Sequence, residues 1–203
     1  MARPGANTFI HPLAQIDPET FIGKGTRVWQ YTIIKKGARI GENCNIGSHC
    51  YVEGGASIGN NVTVKNGVAL WDGVHLADGV FVGPYAVFTN DAYPRSPRAP
   101  EAKERYQDPQ NVLLTTSLEY GATIGGGAMI LAGIIVGKFA TVGLGAVVIQ
   151  AVPPYALVVG NPARQIGWMC ECGRPLVSSK KTLECKGCSK QYKEVKKQLR
   201  RIS

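Results

Sequence analysis

The sequence predicts an all-β chain: a parallel β-helix of hexapeptide repeats, followed by a small cysteine-rich end segment. Three observations predict it. An aliphatic or aromatic residue returns at every sixth position from Ile10 through Ile16, Ile22 and Val28 to Phe88, fourteen in register. Four places after each stands a small or β-branched residue, from Ala14, Thr20 and Thr26 through Cys44 and Cys50 to Ala86. Cysteine and lysine then crowd residues 168–203. A period of six fits neither the 3.6 of a helix nor the alternation of a half-buried strand. It suits a unit of one short strand and one corner, which buries its apolar side only by stacking on its neighbours.

In chain order, residues 1–9 read as a lead-in. From Ile10, three hexads make one triangular coil of 18 residues. The large aliphatics fill a narrow prism, the small residues sit near its corners, and the polar residues between them face outward. After Phe88 the pattern stops. Residues 89–117 hold Pro94, Pro97, Pro100 and Pro109, and a loop of this length inside a regular stack is uncommon and usually functional. The series resumes at Leu118, Ile124, Ile130, Val136, Val142 and Val148. Pro153–Pro154 is expected to end the repeat, because proline lacks the N–H a further ladder needs, and PPYALVVGNPARQIG to leave the prism.

The formal charge of +9 is unevenly placed. Residues 1–163 carry 12 Lys and Arg against 11 Asp and Glu, whereas residues 164–203 carry 11 against 3. The basic end could meet nucleic acid, an anionic membrane or an acidic partner; without a basic helix interleaved with aromatics, a solvated surface is the expected reading and nucleic acid is not an expected partner. The N-terminal stretch lacks the apolar core of a secretory signal, and no apolar run approaches the roughly 18 residues of a membrane helix. A cytoplasmic protein without membrane insertion is expected. The glycines at 125–127 do not open a helix, so no nucleotide-binding phosphate loop is present.

The unbroken hexads, the late proline-rich loop and the ending PPYALVVGNPAR resemble the left-handed parallel β-helix acyltransferases of the hexapeptide-repeat superfamily. The stretch ALWDGVHLADGVFVGPYAVFTNDAYPRS, with its FTND followed by YPRS, resembles one branch of them. That branch N-acetylates the 3-amino group of nucleotide-linked 3-amino sugars. Its substrates are UDP-linked 2-acetamido-3-amino-glucuronic acid or dTDP-linked 3-amino-3,6-dideoxyhexoses, for bacterial surface polysaccharide. The resemblance spans about residues 9–168. It implies left-handed coiling, acetyl-CoA as cosubstrate and a homotrimer with its sites between subunits.

Such chemistry needs a neutral amine aimed at the thioester carbonyl and a donor for the developing oxyanion. The resemblance places Asn90 and Asp91 at the amine, where Asn90 accepts a hydrogen bond from it and Asp91 does the same or holds the ammonium form. Arg95 suits the diphosphate or a sugar carboxylate, with Lys103 and Arg105 as weaker versions of that idea. Trp71 and Tyr93 suit stacking on base or sugar, or equally packing between subunits. Of the three histidines, His11 lies at the wrong end, His49 and His75 fall at outward positions, and His75 is the one candidate base. Gly127–Ala128 and Gly145–Ala146, 18 residues apart, stack on one edge where a pantetheine arm can lie against backbone; Arg164 would then reach a cofactor phosphate.

Cys44 and Cys50 occupy inward small positions and read as core. Cys170, Cys172, Cys185 and Cys188 form C-x-C and C-x-x-C pairs twelve residues apart, a set that suits tetrahedral, structural Zn²⁺ in a zinc-ribbon-like segment. The expected division is a β-helix acyltransferase domain over residues 1–167, with 89–117 as its active-site loop, and a basic, four-cysteine segment over 168–203. The same residues leave two other functions open. One is a non-catalytic scaffold whose ribbon and tail bind nucleic acid or a protein. The other is a carbonic-anhydrase-like zinc enzyme, which wants three clustered histidines.

Overall fold

The computed structural model describes residues 3–179, 182–196 and 198–203. Short strands stack in parallel into three sheets that form the faces of a prism, seven strands on the first face, eight on the second, where an antiparallel ninth is added at the end, and seven on the third. The register advances by one coil at a time: Arg39, Ser57 and His75 lie side by side on the first face, and Asn45, Thr63 and Phe81 on the second. Most strands are two residues long, the first pointing out and the second in, as at Arg27–Val28 and Met129–Ile130. The inward aliphatics Ile22, Val28, Ile34, Ile40 and Ile46 are fully buried, and one continuous core runs from them to Val158.

The small-residue positions work as corners. Thr26 and Thr32 are buried, and their hydroxyls donate to the Gly41 and Gly47 carbonyls of the next coil at 2.8 and 2.6 Å. The methyl fills the prism while the hydroxyl satisfies a corner carbonyl that a valine would leave unpaired. Cys44 and Cys50 occupy the same positions, buried, with burial pushing both thiols above their usual range.

Two boundaries differ from the sequence reading. The prism begins earlier, because Arg3–Pro4 already pairs in parallel with Phe21–Ile22; the hexad register runs back to Pro4, whose place on the outermost strand needs no donated N–H. It also ends later. Val152 bridges Val136, and Ala156–Val159 pairs in parallel with the strand at Thr141–Val142. Pro153–Pro154 falls at a corner, where the missing N–H breaks no ladder. Closure comes from Arg164–Trp168, which pairs antiparallel with Ala156–Val159.

Beyond it, the strands Val177–Ser179, Thr182–Glu184, Gln191–Val195 and Gln198–Arg201 form an antiparallel sheet. This end segment packs on the last coil: Trp168, Cys170, Tyr192 and Leu199 belong to the same buried cluster as the prism. Rings run from Tyr192 to Tyr155 at 5.9 Å, from Tyr155 to Phe139 at 5.4 Å and from Phe139 to Tyr120 at 5.4 Å.

Phe88 is the last inward residue before the insertion and is 2% exposed. Phe88→Ala is expected to cost about 3–5 kcal/mol, the usual range for emptying such a site, read by denaturant unfolding.

Candidate active site

The insertion leaves the prism at the edge where the third face turns into the first. The ladder closes beneath it: Val74–Leu76 pairs directly with Thr116–Leu118 across the inserted residues. The Leu114 N–H donates to the Asn90 carbonyl at 2.9 Å and pins the two ends of the loop together. Thr89 Oγ1 accepts from the Ala132 N–H at 2.9 Å on the coil above. On the coil below, the Trp71 indole N–H donates to the Phe88 carbonyl at 2.9 Å, and its ring lies 5.6 Å from Tyr51. Trp71 is therefore built into the corner, half-buried, beneath the point where the chain departs.

Asn90 is half-buried at that point, and its carboxamide has no hydrogen-bond partner among the described residues. Asp91 is different. Its carboxylate accepts from Arg105 at 2.6 Å, the Tyr106 hydroxyl at 2.8 Å and the Tyr93 N–H at 2.9 Å. Tyr106 Oη also accepts from the Arg95 N–H at 2.8 Å, and Arg105 donates to the Tyr93 carbonyl. Burial opposes the charge on Asp91, but these donors outweigh it and hold the carboxyl below its ordinary range. A carboxylate so held is a poor proton acceptor at neutral pH. It ties the 93–95 segment to the 3₁₀ turn at Glu104–Tyr106.

Tyr93 is 79% exposed, and the exposed Arg95 guanidinium has only its neighbour Pro94's carbonyl as partner among the described residues, at 3.1 Å. Both stand on a loop anchored beneath them. Lys103 is exposed; Arg105 is spent on Asp91 and is not free for a phosphate. Tyr106 was not singled out from sequence, because nothing in a one-dimensional pattern marks a residue fifteen places away as the partner of Asp91.

The edge between the second and third faces carries the cofactor candidates. In successive coils its left-handed corner position is taken by Tyr31, His49, Gly67, Tyr85, Gly127 and Gly145, all at positive φ. The Tyr85 ring lies over Gly67, where an added Cβ would collide with it. At Gly127 and Gly145 a Cβ would meet nothing within 4 Å. The edge is thus filled below and bare above. Ala128 and Ala146 point into the prism and are fully buried, so their methyls do not line this groove. The register already placed them inward; only the glycines open it. Between the two edges the third face exposes Val87 and Met129, an apolar strip joining groove to loop. Arg164 is exposed at the top and, with Gln150 and Gln165, lines a pocket of about 350 Å³.

Fold tolerance makes the groove testable. Tyr31 and Tyr85 sit at positive φ in this same column, so a tyrosine fits the backbone there. If this edge is read as a pantetheine groove, Gly145→Tyr is expected to raise KM for the acyl-CoA about tenfold, equivalent to about 1.4 kcal/mol of lost binding, and, because a side chain at that positive φ costs roughly 1–2 kcal/mol, to lower the melting temperature by a few degrees.

The histidines stay apart. His75 Nδ1 lies 2.6 Å from Ser57 Oγ on the first face, His49 leans on Tyr31 at 4.9 Å, and His11 Nδ1 accepts from the Leu13 N–H at 3.1 Å. Among the described residues the one cluster with metal-ligand chemistry is Cys170, Cys172, Cys185 and Cys188, whose sulfurs all lie within 4.8 Å of one another. Cys170 and Cys188 are 3.5 Å apart, Cys172 and Cys185 3.4 Å. A tetrahedron of thiolates at about 2.3 Å from Zn²⁺ has edges near 3.8 Å, so the donor set fits that ion. Burial opposes ionisation of Cys185, but the Gly187 and Cys188 N–H groups and the Cys172 thiol bring it down to about 6. The Tyr192 hydroxyl lies 3.2 Å from Cys170 Sγ.

Residues 19–54 match the bacterial transferase hexapeptide (six repeats), and residues 37–72 the hexapeptide repeat of succinyl-transferase. Over 95% of its length the chain is 45% identical to the dTDP-3-amino-3,6-dideoxy-alpha-D-galactopyranose 3-N-acetyltransferase of Aneurinibacillus thermoaerophilus, covering 94% of that protein. The chain belongs to the hexapeptide-repeat acyltransferases. Two solved structures share this acyltransferase's fold. AntD, an N-acyltransferase from Bacillus cereus in complex with dTDP and 3-hydroxybutyryl-CoA, matches with a TM-score of 0.53 at 18% identity, over 82% of each chain. The acetyltransferase domain of PglB from Neisseria gonorrhoeae matches with a TM-score of 0.50 at 21% identity, over 78% of the acyltransferase and 57% of that chain. No helix among its described residues is long and apolar enough to cross a membrane.

Proposed function

We propose that this acyltransferase moves the acetyl group of acetyl-CoA onto the 3-amino group of a dTDP-linked 3-amino-3,6-dideoxyhexose, in the cytoplasm, for bacterial surface polysaccharide. The observation that carries this reading is the 45% identity, over nearly the full length, with the Aneurinibacillus enzyme. The site's layout supports it: a loop with polar side chains and a bare groove flank one apolar strip.

In the reaction the amine nitrogen attacks the thioester carbon, a C–N bond forms, the C–S bond breaks, and the proton lost by the amine balances the departing thiolate. Asn90 is the catalytic residue of this reading. Its free carboxamide oxygen accepts from the amine and turns the lone pair toward the carbonyl carbon. Asp91 serves as anchor rather than base. Tyr93 and Arg95 present a ring and a guanidinium to nucleotide and diphosphate, Trp71 supports the corner, and Gly127 and Gly145 admit the pantetheine arm with Arg164 toward a phosphate. Three chains are taken to assemble as a trimer, pairing each loop with a neighbour's groove. Residues 1–167 form the catalytic unit. In residues 168–203 the four cysteines hold a structural Zn²⁺, whose chemistry is to fix the end segment; four thiolates leave no open position for substrate.

The test is thiol release from acetyl-CoA with a panel of nucleotide 3-amino sugars. Turnover with the dTDP-linked 3,6-dideoxyhexoses and at least tenfold less with the UDP-linked glucuronic acid is expected. Release with none of them sinks the reading.

A further inference from the structure

The antiparallel end sheet has one face in use and one free. Alternate residues of a strand point to opposite faces, and direct cross-strand partners share one. Tyr192 with Arg201 and Glu194 with Leu199 make the inner face. Tyr192 and Leu199 are buried, Arg201 reaches Glu171 at 3.3 Å, and Glu194 accepts from the Trp168 indole at 3.2 Å. The outer face carries the other pairs, Lys193 with Arg200 and Val195 with Gln198, all exposed.

Two features of that outer face are unusual. Lys193 and Arg200 are directly opposed, an arrangement of like charges that costs stability. A solvated sheet face is ordinarily polar, yet Val177, Val195 and Ile202 are 40%, 39% and 51% exposed beside them. The one carboxylate on this face among the described residues, Glu184, is matched by Lys186 at 2.9 Å. Cations and aliphatics are thus interleaved, at the end of the chain that holds nearly all of its net charge.

We propose that this face docks the protein onto a bilayer with anionic headgroups, Lys193 and Arg200 on the phosphates and Val177, Val195 and Ile202 at the headgroup–acyl boundary. Aliphatic side chains gain at that boundary, whereas a nucleic acid would call for an aromatic to stack its bases, and the described part of this face has none. The docking is independent of which sugar is acetylated.

The full-length, metal-loaded protein is sedimented with phosphatidylcholine–phosphatidylglycerol vesicles and with phosphatidylcholine alone. Binding to the first, none to the second, and release by high salt are expected. Lys193→Gln with Arg200→Gln should weaken binding about 30-fold, roughly fivefold per charge near an anionic surface. Its melting temperature should hold or rise as the repulsion goes, with acetyl transfer to soluble substrate unchanged. Val195→Ser with Ile202→Ser should weaken binding and leave its salt dependence intact. Absence of binding, equal binding to neutral vesicles, or indifference to either double variant overturns the proposal. So does a marked fall in the melting temperature of Lys193→Gln with Arg200→Gln, or tighter binding to a single-stranded oligonucleotide than to vesicles.

Discussion

Asn90→Ala is expected to lower kcat about 100-fold, the scale on which misorienting a reacting group slows a reaction, while KM for acetyl-CoA stays within about twofold. The split follows from position. Asn90 holds a carboxamide with no partner among the described residues at the mouth of the loop, whereas the bare glycines of the groove lie on another edge of the prism. Asp91→Asn is the control. Removing one charge-assisted hydrogen bond at Asp91 costs roughly 1.5–3 kcal/mol, enough to loosen the loop and raise KM for the nucleotide sugar about tenfold. The folded pKa of Asp91 is depressed, so its contribution is fully present above the unfolded value of about 3.9 and fades as pH falls through the folded pKa. Its loss should therefore leave the rate profile between pH 6 and 8 unchanged in shape. A flattened profile in Asp91→Asn would make it a base after all, and full kcat in Asn90→Ala would remove Asn90 from the mechanism.

Cys170→Ser is expected to abolish stoichiometric zinc, measured by elemental analysis, and to lower the melting temperature by about 10 °C. That is what a loss of roughly 3 kcal/mol gives in a chain of this size, and metal binding in such a segment is folding free energy. The effect should reach the last coils. Cys170 is buried against the Tyr192 hydroxyl, and the rings of Tyr192, Tyr155, Phe139 and Tyr120 continue into the prism. The same column means that deleting residues 169–203 would strip Tyr155 of its cover rather than simply remove an appendage. Zinc-free protein with two disulfides by mass spectrometry would refute the metal assignment.

The prism was legible in the sequence because its core repeats locally: every Ile of the series meets the same surroundings one coil away, so six-residue spacing suffices to place it. The ends were less so. Residues 1–9 read as a lead-in and Pro153–Pro154 as the end of the ladder, and only three-dimensional position reveals an outermost strand or a corner where the missing N–H does no harm. The loop was legible as a break, and Asn90 and Asp91 as polar side chains at its start. The engagement of Asp91 by Arg105 and Tyr106 was not, because those contacts depend on how an aperiodic segment folds back. Ala128 and Ala146 show the opposite case: the register alone turned them inward, and the glycines beside them carry the groove.

The direct pairing of His75 with Ser117 beneath the inserted loop has an evolutionary consequence. The stack neither lengthens nor shifts to accommodate what hangs from that edge. Substitutions, and changes in length, between Asn90 and Leu114 can be explored by mutation without renegotiating the scaffold. Under the proposed function, substrate preference is thus separable from foldability, and grafting the corresponding loop of a relative with different sugar specificity is expected to redirect the enzyme without loss of fold.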